Sequence, residues 1–223
     1  MKSAAIIVAG GTGTRIGAGI PKQFICVGGK PILIHTIEKF SHLDECIVVL
    51  PEQEIDTWHS MVKQYHFQVP HTVIVGGSSR YLSVKNGLAA VKSADVVAVH
   101  DGARPLVSRG LIDRCLNDAF EFGSAIPVVS IPESIRSHSD NGSNAEDRSR
   151  FLLVQTPQCF KSEYIATAFT KSDDPAFTDD ATVLEKNGIA VHLTEGERWN
   201  IKITFPEDLA VAEALLSDKK SDK

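Results

Sequence analysis

Gly10, Gly11 and Gly13, followed by Arg15 and Lys22, are the residues of this chain whose types and spacing best suit polyanion chemistry. They stand in Ala9-Gly10-Gly11-Thr12-Gly13-Thr14-Arg15 and Pro21-Lys22-Gln23. Glycine has no Cβ, so a loop built on it lets backbone N–H groups approach a phosphate chain closely. Arg15 would add a planar fork of donors and Lys22 a mobile point charge. Together they point to chemistry at the phosphates of a nucleotide. The element that must hold them is the apolar run of residues 4–8, a buried strand opening into the loop. The bland alternative is a tight strand-to-helix turn, and the two cations argue against it.

Two other phosphate loops fit less well. A dinucleotide fold also follows its first strand with glycines, and Gly11, Gly13 and Gly17 loosely imitate it. That fold wants an acidic residue ending the second strand. Here Glu52 is the only candidate, and it lies beyond Pro51. The loop of ordinary nucleoside triphosphatases closes on Gly-Lys-Ser/Thr, and no such triplet follows Gly13.

The elements around the loop alternate. β-branched apolar runs predict strands at residues 6–8, 46–50, 72–75, 96–99 and 125–129. Helical spacing falls between them, at 31–40 with Pro31 in the first turn, at 55–65 and at 83–91. This is the pattern of an α/β fold, a mostly parallel twisted sheet with helices on both faces. The loops after the strands, 9–15, 76–80 and 101–105, then meet at one rim, where such sheets bind ligands. Asp101 closes a strand there and could contact a metal or a ribose, or serve only as a turn or cap residue. His100 beside it reads as a satisfied structural group. Asp179 and Asp180 are placed to cap a helix running to Lys186. Lys202 lies between Ile201 and Ile203 in a strand-like alternation that turns it away from both. Residues 133–150 break the rhythm: they are polar, with a hairpin signal at Asn141-Gly142, and a strand at 151–154 follows.

Composition narrows the class. At 223 residues, 43% hydrophobic and 23% charged, the chain can build one substantial core, and residues 1–223 read as a single domain. Its formal charge of −5 gives no basic field for nucleic acid. Nothing predicts a membrane span or export, so a cytoplasmic location is expected. The four cysteines, Cys26, Cys46, Cys115 and Cys159, have no metal or redox spacing and read as reduced core or near-core thiols. The lysine-rich residues 219–223 read as a solvated end.

The first loop and Pro21-Lys22-Gln23, with Asp101-Gly102-Ala103-Arg104-Pro105, Gln155-Thr156-Pro157-Gln158, Thr178-Asp179-Asp180-Ala181 and Asn200-Ile201-Lys202-Ile203-Thr204, resemble the 2-C-methyl-D-erythritol 4-phosphate cytidylyltransferases. The resemblance runs from Ala4 to about Leu216. Ribitol 5-phosphate cytidylyltransferases share the first loop, the Pro-Lys-Gln and the Thr-Pro-Gln, so these cannot separate the two families. The Asp101 and Thr178 motifs look more like the methylerythritol enzymes.

The resemblance implies a Rossmann-like nucleotidyltransferase domain that joins CTP to a phosphorylated polyol and releases pyrophosphate. Arg15 and Lys22 would stabilise the charge that develops on the phosphates. Ala9, Gly10, Gly11, Gly77, Ser78, Ser83, Asp101 and Gly102 would bind the nucleotide, with Ser78 standing where relatives often carry an acid. Arg148, Thr156, Thr178 and Lys202 would hold the polyol phosphate. Mg²⁺ or another divalent cation would gather the triphosphate, with Asp101 as its protein ligand. Residues 133–150 would form a protruding β-arm that embraces a second copy in a homodimer, with Arg148 serving the partner's site. A catalytically silent nucleotide binder is the reading from another class.

Overall fold

The computed structural model describes residues 1–11, 19–171, 177 and 179–218. Among them the elements follow in the order β1 (Ser3–Val8), β2 (Cys26–Val27), β3 (Lys30–Pro31), α1 (Ile32–Lys39), β4 (Glu45–Leu50), α2 (Ile55–Gln64), β5 (Thr72–Val75), α3 (Arg80–Ala90) and β6 (Val96–Asp101). Then come α4 (Arg109–Phe122), β7 (Ser124–Ser130), β8 (Ile135–Ser139), β9 (Gly142–Glu146), β10 (Leu152–Val154), β11 (Gln158–Lys161), α5 (Ser162–Lys171), α6 (Asp180–Lys186), β12 (Leu193–Glu195) and α7 (Pro206–Asp218).

The main sheet runs β10-β7-β11-β6-β1-β4-β5, with β12 pairing β7. β1 is parallel to both β4 and β6, and β4 to β5; β11 is antiparallel to β6 and β7. The expected α/β architecture is therefore present. The chain steps outward from β1 through β4 to β5, then crosses back to β6 on the other side. Such a reversal of strand order opens a crevice at the strands' C-terminal ends.

Why these strands are continuous apolar runs follows from their two covers. Ala5 and Ile7, with Cys46, Val48 and Leu50, face a core closed by α1, α2 and α4. Ile6, Ile47 and Val49 face the opposite core, closed by α3, α5 and α6. A strand buried on both faces cannot alternate with polar residues. Gly87 shows how close the cover lies: a Cβ there would come within 2.5 Å of Ile6 Cγ2, so α3 rests directly on β1. A third, smaller core packs α7 against β2 and β3 through Val27, Ile32, Ile203, Ala212 and Leu216.

Several expectations shift. Pro31 is not inside the first turn of α1 but caps it in extended backbone. No strand forms at residues 201–204, although the alternation survives, with Ile203 buried and Lys202 exposed. Cys46, Cys115 and Cys159 are buried free thiols, whereas Cys26 is exposed. The hairpin of residues 133–150 exists as β8 and β9, but Ser139 pairs with Gly142. Its two-residue loop is thus Asp140-Asn141, one position earlier than read, and Gly142 takes a φ of 121°. The hairpin is a separate two-stranded sheet, exposed along nearly its whole length. Among the described residues no helix is long and apolar enough to cross a membrane.

Candidate active site

A cleft of about 290 Å³ lies at the C-terminal ends of the central strands. Ala9, Gly10 and Gly11 after β1, Pro51 after β4, Gly76–Arg80 after β5 and Asp101–Ala103 after β6 supply its walls, and Lys22 and Lys202 enter from outside the sheet. The rim is held by hydrogen bonds that prolong the strand ladders. Ala9 N–H donates to Val49 O at 2.9 Å, Gly76 N–H to Leu50 O at 2.8 Å and Gly102 N–H to Val8 O at 2.8 Å. Gly102 is required by this closeness, because a Cβ there would lie 2.8 Å from that of Ala9.

The wall after β5 is set by two serines. Ser79 caps α3 by accepting from Leu82 N–H, and Ser83 donates to Ser79 O at 2.9 Å while accepting from Gly77 N–H at 3.1 Å. Ser83 therefore shapes the Gly77 turn from within α3. Ser78 is exposed on the same wall. Lys22 sits in the single 3₁₀ turn Lys22–Phe24; its Nζ donates to Ile203 O at 3.1 Å, and its Cε lies 3.5 Å from where a Gly11 Cβ would be.

Asp101 is the anionic centre. Lys202 Nζ lies 3.0 Å and Arg104 Nε 3.3 Å from its Oδ2, and Arg80 Nε 4.0 Å from its Oδ1. Burial opposes its charge, but Lys202, Arg104 and Arg80 outweigh that and hold the carboxyl well below the usual carboxylate range. Lys202 reaches this position because its segment is pinned underneath. Arg104 donates to Asn200 O at 2.7 Å, Asn200 Nδ2 to Thr156 O at 2.7 Å, and Ile203 N–H to Ala103 O at 2.9 Å.

Arg80 is a cleft residue that sequence reasoning missed. Both its Nη atoms bond Asp180, at 2.8 and 2.7 Å. Burial opposes its charge, and Asp180 and Asp101 more than offset this, so the guanidinium titrates above its ordinary value. Asp179 caps α6 as expected, accepting from Thr182 N–H, but the carboxylate of Asp180 takes no part in the cap and is given to Arg80 instead. Gln158 joins the two acids, donating to Asp179 and accepting from the Asp180 and Ala181 N–H groups.

Two anticipated substrate residues lie outside the cleft. Thr156 is buried behind β6, where its Oγ1 accepts from Asp101 N–H at 3.1 Å. Arg148 is exposed beside the β8–β9 hairpin and donates to the Pro132 carbonyl. Arg15 and Thr178 lie outside the described residues, as do residues 219–223.

Asp101 is the only carboxylate among the described residues lining the cleft, and no described group of three or more His, Cys, Asp or Glu side chains could hold a metal. That donor set fits a hard cation carried mainly by ligand phosphates and water, with one protein carboxylate, rather than a protein cage.

His100 behaves as the structural group it was expected to be. Its Nε2 lies 3.2 Å from Arg104 O, which can only accept, so Nε2 carries the proton. Nδ1 then accepts from Thr156 Oγ1 at 3.1 Å, and Thr156 in turn accepts from Asp101 N–H. Burial pushes the imidazole down to about 4. Between about pH 6.5, the unfolded value, and 4 the unfolded chain binds a proton that the folded chain refuses. Stability is therefore greatest above that window and is lost as pH falls through it, by about 3 kcal/mol from this group. Urea unfolding between pH 7 and 4.5 should show a shallower loss for His100→Asn than for the wild-type chain; equal slopes would refute the assignment.

An open α/β sheet with glycine turns and convergent cations at its switch point is the arrangement in which proteins of this fold class bind nucleotides. Comparison with known proteins gives the particular group. Residues 3–218 match the family model of 2-C-methyl-D-erythritol 4-phosphate cytidylyltransferase. The enzyme of that name from Bacteroides thetaiotaomicron is 48% identical over 97% of this chain and 100% of its own, and that of Porphyromonas gingivalis 44% identical over 97% and 98%. The crystal structure from Thermus thermophilus superposes with a TM-score of 0.79 at 32% identity, covering 97% of this chain and 100% of that one. The 4-diphosphocytidyl-2C-methyl-D-erythritol synthase of Anaerococcus prevotii gives 0.82 at 28%, covering 97% and 98%. This chain belongs to the 2-C-methyl-D-erythritol 4-phosphate cytidylyltransferase family.

Proposed function

We propose that the cleft transfers a cytidylyl group from CTP to 2-C-methyl-D-erythritol 4-phosphate, releasing pyrophosphate and 4-diphosphocytidyl-2-C-methyl-D-erythritol for the non-mevalonate route to isoprenoids. The observation that carries this is the meeting of Lys22, Lys202 and the Asp101 carboxylate around glycine-walled space. The acceptor phosphate is already ionised, so no general base is needed; the difficulty is bringing two polyanions together. Lys22, with Arg15, meets the charge on the triphosphate. Ala9, Gly10, Gly11 and Gly102 leave room for the nucleotide against the backbone. Gly77, Ser78 and Ser83 form the wall for the base. Lys202 orients the attacking phosphate, which requires it to exchange Asp101 for that phosphate. Thr156 contributes by holding Asp101, and Thr178 by contacting the same phosphate.

Mg²⁺ or another divalent cation, held by triphosphate oxygens with Asp101 as its protein ligand, would neutralise part of the phosphate charge. Residues 1–223 act as one cytoplasmic nucleotidyltransferase domain, and residues 133–150 are an arm that reaches a second copy in a homodimer. The exposure of the hairpin and of Leu152, Leu153 and Val154 on edge strand β10 supports that reading, and so does the place of Arg148 at the end of the arm rather than in its own cleft. The test is pyrophosphate release from CTP and Mg²⁺ with either polyol phosphate. Turnover with the methylerythritol substrate is expected. Turnover with ribitol 5-phosphate alone would move the chain to that substrate, and turnover with neither would leave a silent binder.

A further inference from the structure

The turn that carries Lys22 rests on an aromatic stack inside the fold. Phe24 ends that turn and is 2% exposed; its ring lies nearly parallel to the indole of Trp58 on α2, at 10° with centroids 6.4 Å apart. Trp58 is fully buried, and its Nε1–H donates to His71 Nε2 at 3.1 Å. His71 Nδ1 lies 2.7 Å from Val69 O. A carbonyl can only accept and an indole N–H can only donate. His71 is therefore held as the neutral tautomer protonated on Nδ1, with its Nε2 lone pair aimed at Trp58. Phe67 closes the group, edge-on to Trp58 at 6.0 Å and tilted against His71 at 5.5 Å. Trp58 cannot rotate without losing a hydrogen bond and its aromatic contacts.

The Lys22–Phe24 turn needs such a fixture. It is a single turn closed by Phe24 N–H to Pro21 O and Ile25 N–H to Lys22 O. Among the described residues the buried amide of Gln23 finds a hydrogen-bond partner for neither its nitrogen nor its oxygen. Lys22 Nζ is held by Ile203 O, and Gln23 and Phe24 are both buried; of these, the Phe24 ring is the part that packs on an aromatic neighbour in the core.

We propose that Trp58, oriented by His71, is a positioning residue for Lys22: it is the platform on which Phe24 seats the turn, and so sets where the ammonium enters the cleft. This rests on the role of Lys22 given above. A displacement of about 1 Å in a positioned group can cost up to about 10²-fold in rate, so a platform beneath a residue two positions from Lys22 can govern turnover without touching substrate.

Trp58→Phe keeps a ring and removes the indole N–H; His71→Gln keeps an acceptor for it, and His71→Phe removes that acceptor. Single-turnover rates and KM for CTP would be measured for each, in the otherwise wild-type chain and in Lys22→Ala. Trp58→Phe and His71→Phe are expected to slow the chemical step about tenfold, with KM for CTP unchanged within about twofold, while His71→Gln recovers most of the rate. In the Lys22→Ala background the same substitutions should cost nothing further, because their effect passes through Lys22. The Phe24 and Trp58 rings are both buried, so some fall in urea midpoint is expected in every variant, and rates are compared where each is fully folded. Equal rate losses in both backgrounds, or wild-type rates in Trp58→Phe, would overturn the positioning role alone. Wild-type turnover by Lys22→Ala would instead overturn the reading of Lys22 itself, and the inference with it.

Discussion

Alanine at position 22 is expected to cut turnover by about 10²–10³-fold, the cost of removing one donor aimed at developing charge in comparable sites. The expectation rests on where the side chain is. Lys22 lines the cleft with its Cε against the Gly11 turn, while burial in its own segment falls on Gln23 and Phe24. Truncation should therefore spare the fold, and the urea midpoint should stay near the wild-type value. Initial rates of pyrophosphate release, set beside that midpoint, make the check. A loss of stability that matches the loss of rate would mean that Lys22 is a packing residue.

The second large effect is expected at Asp101, and it falls on stability as well as on activity. Asp101→Asn keeps the shape but leaves Arg80, Arg104 and Lys202 facing one another without their shared anion. Removing one partner from a buried charge cluster typically costs about 3–5 kcal/mol. The sign with pH follows from the depressed carboxyl. Its contribution is complete above the unfolded value of about 4 and is lost as pH falls toward the lower folded value. The two chains should therefore differ most near neutrality and converge in acid. A difference that stays constant from pH 7 downward would show that the substituted amide fails through its shape and not through its missing charge.

Much of the fold was legible because its centre is simple. β1, β4 and β6 are covered on both faces, so they read as unbroken apolar runs that need no partner to be recognised. β11 and β12 were not read. They are short, and Gln158-Cys159-Phe160-Lys161 and Leu193-Thr194-Glu195 take their strand character from neighbours β6 and β7 rather than from their own composition. The rim residues were legible for a different reason, since glycine turns after strands carry their own signal. Arg80 shows the limit. It stands next to a recognised turn, but its meaning comes from Asp180, a hundred positions along the chain. Thr156 shows the converse: its motif was visible, yet only the packing places its hydroxyl under Asp101, away from the cleft. Lys202 was implied by the family resemblance and gained weight from an alternation that does face it away from buried Ile203, although the segment is held by Ala103, Asn200 and Arg104 and not by a strand ladder.

The carboxylate set among three cations means that the cleft's positive charge is already partly answered from within. On the function proposed above, an incoming phosphate has to replace the Asp101 carboxylate on Lys202. The cluster keeps a net positive charge, since one carboxylate faces three cations. The cleft thus carries its own counterion, and binding becomes an exchange of anions instead of the filling of a bare positive well.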